Sequence, residues 1–416
     1  MRYLKKVIVF VSILLIIALE VTLLIEGTLR FFPGLIPLEF LINFSPEIRA
    51  KIAIKRGLPL REEMVALDRD DGGPELLIYG PSTKWLRLVK DNDSYSTAVM
   101  DQNGFCNSEE DARQSTADII TIGDSFTWCH AVNPEEAWSK RLASLTGLSV
   151  YNLGVGAIGI QEYLQIFKKF GLPKMPKIVI MNIYEGNDLR DARRYYLHRS
   201  RQKPAQDKRR NLPSAFSQGT SWVEFPASYS YACNLFYAVF ELLTSSSPED
   251  HKINYLYSLT FSDNTVPFNL ENTDRDEVKY AQKLYNQELD PGIFTAIQKA
   301  LEEYATLGKE HGFIPVVSYT PSVQSAYENF VVFEDTSLKE LMPWFSRKQR
   351  AYFRQQGEQL GYIFFDLTPS LQEAARTHGS QDILYYRYDL HLTPSGHSVV
   401  GEALAGLVRE YINNRP

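Results

Sequence analysis

The chain has 416 residues with 44 basic and 50 acidic side chains, a formal net charge of −6. Such a balance leaves no concentrated basic face of the kind that binds nucleic acid. Apolar residues at 44% and charged residues at 23% exclude a disordered chain and suit one core-forming domain with an insertion. Three cysteines are too few for a disulfide scaffold, and no Cys/His spacing resembles a zinc site, so neither metal nor other cofactor is expected.

The first element is apolar. Arg2, Lys5 and Lys6 precede a run from Val7 to Ile25 broken only by Ser12, Glu20 and Thr22. At 1.5 Å per residue such a helix covers about 28 Å, close to one bilayer core. The basic residues ahead of it predict a cytoplasmic N-terminus, with the rest of the chain outside the cytoplasm, periplasmic in a Gram-negative cell. A cleaved signal peptide is the rival reading, but no small-x-small cleavage site follows Ile25; Glu26, Arg30 and Pro33 do. Residues 1–29 are therefore read as a membrane anchor with a single span, and residues 30–117 as a juxtamembrane and N-terminal extension. Within the extension, Leu76–Tyr79 and Trp85–Val89 read as short strands, with turns at Gly80-Pro81-Ser82 and at Asp101–Phe105.

From residue 118 the pattern becomes βαβαβ. A β-branched run, Asp118–Ile122, ends in Gly123-Asp124-Ser125-Phe126. A helix over Pro134–Leu145, a strand over Val150–Leu153, a helix over Gln161–Phe170 and a strand over Ile178–Ile183 follow, which predicts a parallel sheet with helices on both faces. The rhythm breaks over about 189–290, an insertion read as a lid or cap over the site. Its basic stretch from Arg193 to Arg210 is read as a solvated loop, the sharper reading being a rim for acidic polysaccharide or anionic headgroups. Its apolar stretch Tyr229–Leu243 is too short to span a bilayer and is expected to pack on the core. Core elements resume with a helix near Gly292–Glu310, a strand over Phe313–Tyr319, a helix near Arg347–Leu360, a strand over Tyr362–Leu367 and a closing helix over Gly396–Tyr411.

Four short motifs stand in the loops of this pattern: Gly123-Asp124-Ser125, Asn152-Leu153-Gly154, Glu185-Gly186-Asn187-Asp188 and Asp389-Leu390-His391. In residue type and order they resemble the SGNH/GDSL hydrolase superfamily. The resemblance implies a flavodoxin-like three-layer α/β/α fold with a mostly parallel central sheet over 118–416. It implies Ser125 as nucleophile, His391 as its general base and Asp389 as the group that orients the imidazole. The backbone N–H groups of Ser125 and Gly154 and the side-chain amide of Asn187 become the oxyanion hole. The chemistry suits these types: serine is a weak nucleophile until an imidazole takes its proton, and a tetrahedral oxyanion needs fixed neutral donors.

The family's commonest spacing is Asp-x-x-His, whereas residue 388 here is Tyr388 and the spacing is Asp-x-His. That form is similar to SGNH-like alginate O-acetyltransferases. If the segment is extended, residues two apart face one side and Asp389 reaches His391. His130, five residues past Ser125, is a second base candidate that the following helix would carry away. Asp124 and Asp188 are read as structural, serving loop hydrogen bonds and turns. Three function classes stay open: a serine esterase or deacylase acting on an acylated, O-acetylated carbohydrate; an O-acetyltransferase with the same triad, partnered by polysaccharide-assembly proteins; and a non-catalytic anchored scaffold. Cys106 and Cys129 are candidates for a disulfide that braces the Ser125 turn, the alternative being two buried thiols.

Overall fold

The computed structural model describes residues 2–41, 44–45, 48, 51–52, 55–56, 64–89, 91, 94–200, 230–244, 257–269 and 275–413. The chain divides into two compact units, Met1–Glu62 with Lys208–Lys252, and Glu63–Asp207 with Ile253–Pro416.

Among the described residues the larger unit holds the strands β1 (Met64–Leu67), β2 (Leu76–Tyr79), β3 (Lys84–Val89), β4 (Ser94–Val99), β5 (Ile119–Ile122), β6 (Val150–Asn152), β7 (Ile178–Tyr184), β8 (Tyr257–Thr260), β9 (Thr265–Pro267), β10 (Ile314–Thr320), β11 (Val331–Phe333) and β12 (Ile363–Asp366). Five form the central sheet in the order β12-β10-β7-β5-β6, and every pairing in it is parallel. Counted along the chain, this is the 2-1-3-4-5 order of doubly wound, flavodoxin-like sheets.

The strand sequences explain why both faces are covered. Ile120, Ile122, Val179, Met181, Ile183, Val317 and Tyr319 enter one core, with helices Ile160–Ile166, Pro291–His311 and Leu338–Leu360. Their neighbours Ile119, Ile178, Ile180 and Val316 enter a second core, with helices Trp138–Thr146, Thr368–His378 and Pro394–Asn413. Alternation at period two sends successive apolar residues to opposite faces, so an unbroken apolar run needs a helical layer on each. The result is three layers.

β1 with β2 and β3 with β4 form antiparallel pairs ahead of the sheet. The turn after β4 depends on Asp101, whose Oδ1 accepts from the amides of Asn103 at 2.7 Å and Phe105 at 3.1 Å. Gly104 there has φ +87° and a Cβ would lie 2.1 Å from the Tyr79 carbonyl oxygen, so only glycine fits. At the C-terminal end of β7, the buried Glu185 carboxylate accepts from Tyr319 (3.0 Å), Ser322 (3.2 Å), Ser325 (2.5 Å) and Ser346 (2.9 Å). Four hydroxyl donors thus tie the loop after β10 and the helix Leu338–Leu360 to the strand end that carries Asn187.

The smaller unit contains a helix over Arg2–Phe31. Within it, Val9–Phe31 is long and apolar enough to cross a bilayer, and among the described residues it is the one such helix. It runs past Ile25, where the sequence placed the end of the apolar run, because the Glu26–Arg30 pair at i,i+4 continues it as far as Phe31, short of Pro33.

The insertion departs from expectation in two places. The apolar segment forms the helix Tyr231–Thr244, which belongs to the smaller unit and shares a core with Leu29, Ile36 and Phe44 instead of the core of the parallel sheet. Glu26 explains this: its Oε2 accepts from the Ser230 hydroxyl and the Ala232 amide, both at 2.8 Å, and so caps that helix at its N-terminus. The basic stretch is helical through Ser200, in the element Asp188–Ser200, and continues outside the described residues. The remaining described part holds β8 and β9, which join β11 in a three-stranded antiparallel sheet, and the helix Arg275–Tyr285.

Cys106 and Cys129 form a disulfide with Cα atoms 6.2 Å apart and a sequence separation of 23. Closing such a loop stabilises the fold by about 3 kcal/mol on chain-entropy grounds. Replacing both cysteines by serine is expected to lower the unfolding free energy by about that amount, read from chemical denaturation; an unchanged midpoint would assign the bridge no stabilising role.

Candidate active site

The loops at the C-terminal ends of β5 and β7 lie where the strand order reverses, the crevice in which open α/β sheets bind ligands. β5 delivers Gly123-Asp124-Ser125 to this edge and β7 delivers Asn187. The turn after β5 is tight. A Cβ at Gly123 would lie 2.1 Å from Thr127 Oγ1 and 3.1 Å from the Asn182 carbonyl oxygen. Asp124 is fully buried; Oδ1 accepts from the Phe126 amide at 2.9 Å and Oδ2 from Asn187 Nδ2 at 3.0 Å. Burial pushes its carboxyl up to about 6, against the pull of those two donors. Asp188 accepts from Tyr163 (2.6 Å) and from the Tyr184 amide (2.6 Å), and burial together with the Asp124 charge raises it well above the usual carboxylate range. Both aspartates thus carry loop hydrogen bonds.

Ser125 and His391, far apart in sequence, meet here. Ser125 Oγ is 2.8 Å from His391 Nε2. His391 Nδ1 faces the Asp389 carbonyl oxygen at 3.1 Å and its carboxylate Oδ1 at 3.6 Å. Both partners are acceptors, so the ring proton sits on Nδ1 and Nε2 is bare toward the serine. The segment is not extended as expected: Leu390 has φ +63°. This left-handed residue folds the chain so that carbonyl and carboxylate of one aspartate both approach the ring.

Two side chains outside the four motifs complete the arrangement. His130 Nε2 is 3.3 Å from Asp389 Oδ2, and its ring stacks on His391 with centroids 3.5 Å apart and planes 22° apart. Residues 124–131 run in consecutive turns, ending at Ala131 with φ +60°, so no helix carries His130 away. Arg87, from β3, reaches His130 Nδ1 and Asp389 Oδ2, both at 3.3 Å. Burial lowers the His130 pKa well below its usual value, helped by the charges of Arg87 and His391. Burial works to raise Asp389, but hydrogen bonds from His130 and His391 and their charge prevail and hold it well below the carboxylate range. Position 87 gave no signal in sequence: it is one charged residue in an alternating strand, and its partners lie across the chain.

Gly154 takes a different place from the one expected. Its N–H donates to Asn152 Oδ1 at 2.8 Å, and a Cβ on it would lie 2.3 Å from the Trp128 amide nitrogen. The residue is a close-packing point against the turn after Ser125, with its donor already engaged. Two residues on, a Cβ at Gly156 would lie 3.7 Å from Ser125 Cβ, and the Gly156 N–H donates to the Tyr79 hydroxyl at 3.0 Å. The Ser125 amide donates to no acceptor among the described residues. Asn187 keeps a second Nδ2 hydrogen beyond the one given to Asp124.

His130, Asp389 and His391 place ligand-type atoms within 4.8 Å of one another. The set fits a metal poorly. The two imidazoles lie face to face, so their in-plane lone pairs run side by side rather than converge, and their nitrogens are engaged by Arg87, Asp389 and Ser125.

No family model and no curated protein matches the chain. Solved structures with partial likeness include a lipolytic protein of the G-D-S-L family from Desulfitobacterium hafniense DCB-2, 13% identical over 70% of this chain and 98% of that one, TM-score 0.33. An acetylxylan esterase from Geobacillus stearothermophilus is 12% identical over 70% and 94%, TM-score 0.33. The acetyl xylan esterase AlAXEase is 11% identical over 70% and 98%, TM-score 0.35.

His397, one of the three histidines near the C-terminus, is a core residue. Its Nδ1 accepts from the Trp138 amide at 3.2 Å, and burial, aided by the His391 charge, depresses it from 6.5 to about 3. The unfolded chain takes up a proton near 6.5 and the folded one refuses it, so this stability is present above 6.5 and is lost as pH falls toward about 3. The limiting slope is about 1.4 kcal/mol per pH unit. His397→Asn keeps an acceptor for Trp138 and removes the titration. Its unfolding free energy is expected to fall less steeply than that of the wild type between those pH values; parallel curves would refute the assignment.

Proposed function

We propose that the chain is a serine ester hydrolase that removes an acyl group from an O-acetylated carbohydrate outside the cytoplasm. The observation that carries the reading is the 2.8 Å approach of Ser125 Oγ to a His391 nitrogen whose opposite nitrogen faces two Asp389 acceptors. Ser125 Oγ attacks the ester carbonyl carbon as its proton passes to His391 Nε2. The carbonyl oxygen becomes an oxyanion, met by the Ser125 amide and the Asn187 side chain. The intermediate collapses, His391 gives the proton to the departing sugar oxygen, and an acyl-serine remains. Water then attacks with His391 again as base, which frees the carboxylic acid and Ser125. Asp389 stays ionised and holds the imidazolium.

Asp124 serves the oxyanion hole indirectly, by fixing the Asn187 amide through one of its hydrogens. The engaged Gly154 N–H removes that group from the donors, so the hole rests on Ser125 and Asn187. The carbohydrate as substrate follows the motif resemblance. The anchor reading follows the length and exposure of Val9–Phe31; a reporter fused to the C-terminus that works only outside the cytoplasm should then be active, and activity of a cytoplasm-only reporter would overturn it.

Ser125→Ala is expected to abolish hydrolysis of p-nitrophenyl acetate and acetate release from acetylated glycans while the fold persists; retained turnover would sink the proposal. Asn187→Ala is expected to lower kcat by about 10²–10³ with little change in KM, because its donor acts on the oxyanion. Asp389→Asn is expected to cost less than the ~10⁴-fold found where a carboxylate alone fixes the tautomer, since here the backbone carbonyl of the same residue also accepts from Nδ1. Steady-state kinetics of the three variants separates these outcomes.

A further inference from the structure

Arg87 belongs to the β3–β4 pair, outside the sheet that carries the four motifs, yet its guanidinium ends at the site. Arginine has five N–H donors and no acceptor. Its 3.3 Å approach to His130 Nδ1 therefore requires a lone pair on that nitrogen. The ring proton of neutral His130 must then lie on Nε2, where it points to Asp389 Oδ2 at 3.3 Å. The second arm of the same guanidinium reaches that oxygen, also at 3.3 Å. The other carboxylate oxygen, Oδ1, is left to His391, accepting from its backbone amide at 3.2 Å and facing its ring nitrogen at 3.6 Å.

We infer that Arg87 and His130 are positioning residues for the Ser125–His391 pair: Arg87 fixes the tautomer of His130, and His130 fixes the carboxylate of Asp389 and the ring plane of His391. The inference rests on the ester-hydrolase reading of the site. With Oδ2 held by two donors, the carboxylate does not rotate away from His391. His391 also lies between two rings, His130 at 3.5 Å and Phe126 at 4.8 Å between centroids. Two rings stacked on one imidazole occupy its opposite faces, so the plane that aims Nε2 at Ser125 is set from both sides. Phe126 is itself stacked on Tyr184 at 3.5 Å, which ties that side to the end of β7. His130 does not act as a base in this arrangement, because its one lone pair is taken by Arg87.

A plain ion pair between Arg87 and Asp389 would need only a charge, which lysine supplies. The role proposed here needs a fork that serves two different acceptors at once, which a single ammonium does not provide. The test uses the full-length chain in detergent with p-nitrophenyl acetate, comparing Arg87→Lys and Arg87→Gln with the wild type. Both variants are expected to lose about 10- to 100-fold in kcat, the usual cost of removing a group that orients a reacting one, with KM unchanged. Arg87→Lys at the wild-type kcat would overturn the inference. Independently of how the variants fold, nitrogen-15 NMR of histidine-labelled wild-type protein is expected to show His130 with a protonated Nε2 and a bare Nδ1; the opposite tautomer would overturn it as well. Ser125→Ala tells the two levels apart. If that variant is inactive and Arg87→Gln is unimpaired, the positioning role alone falls; if Ser125→Ala is active, the ester-hydrolase reading falls and takes the inference with it.

Discussion

A serine hydroxyl surrenders its proton only to an imidazole that presents a bare nitrogen, so the opposite nitrogen must carry the ring proton and have somewhere to put it. At this site both acceptors come from one residue. The Asp389 carbonyl and carboxylate approach His391 Nδ1 together because Leu390 between them is left-handed. A buried leucine in that conformation costs roughly 1–2 kcal/mol, and the fold sustains it by burying the side chain in the second core. The Asp-x-His spacing is thus a different chain path to the same contact that a longer spacing reaches by other means.

The sheet was readable because its strands are buried on both sides. Runs such as Ile178–Tyr184 are buried along their whole length, and the loops that follow them carry the motifs. Ser125, His391 and Asp389 are brought together by that architecture, and the short spacing of Asp389 and His391 survives the failure of the extended-segment argument. Illegible were the contributions from outside the βα rhythm. Arg87 and Tyr79 sit on short strands whose sequences describe only a half-buried hairpin, and nothing local says that they end beside a turn from β5 and a loop near the C-terminus. Gly154 was misplaced because glycine signals close approach without naming the neighbour: here it makes room for the Trp128 backbone. The helix Tyr231–Thr244 was misassigned because an apolar face does not state which unit will bury it; Glu26, some 200 residues upstream in sequence, decides that by capping it.

The site edge is also a concentration of buried carboxyl groups. The Asp124 charge raises the cost of ionising Asp188, and the Asp191 charge that of Asp124, burial being the larger effect on both. Glu185 adds a third, raised by burial and offset by hydroxyl donors first and by the Arg350 charge after them. Asp389 alone is held firmly ionised, with two histidines and an arginine around it. One loop edge therefore sets a carboxyl held well below its usual range beside acids pushed above theirs.

The hairpin strands belong to the same structural unit as the parallel sheet. A chain started at Asp118 would retain all five parallel strands and all four motifs. It would lack Arg87 against His130, the Tyr79 hydroxyl that receives the Gly156 amide, and Cys106 of the bridge to Cys129. Such a truncated chain would carry all four motifs and still miss three of the supports around the Ser125 turn. The contacts that hold the Ser125 turn therefore begin with β2, ahead of the first motif.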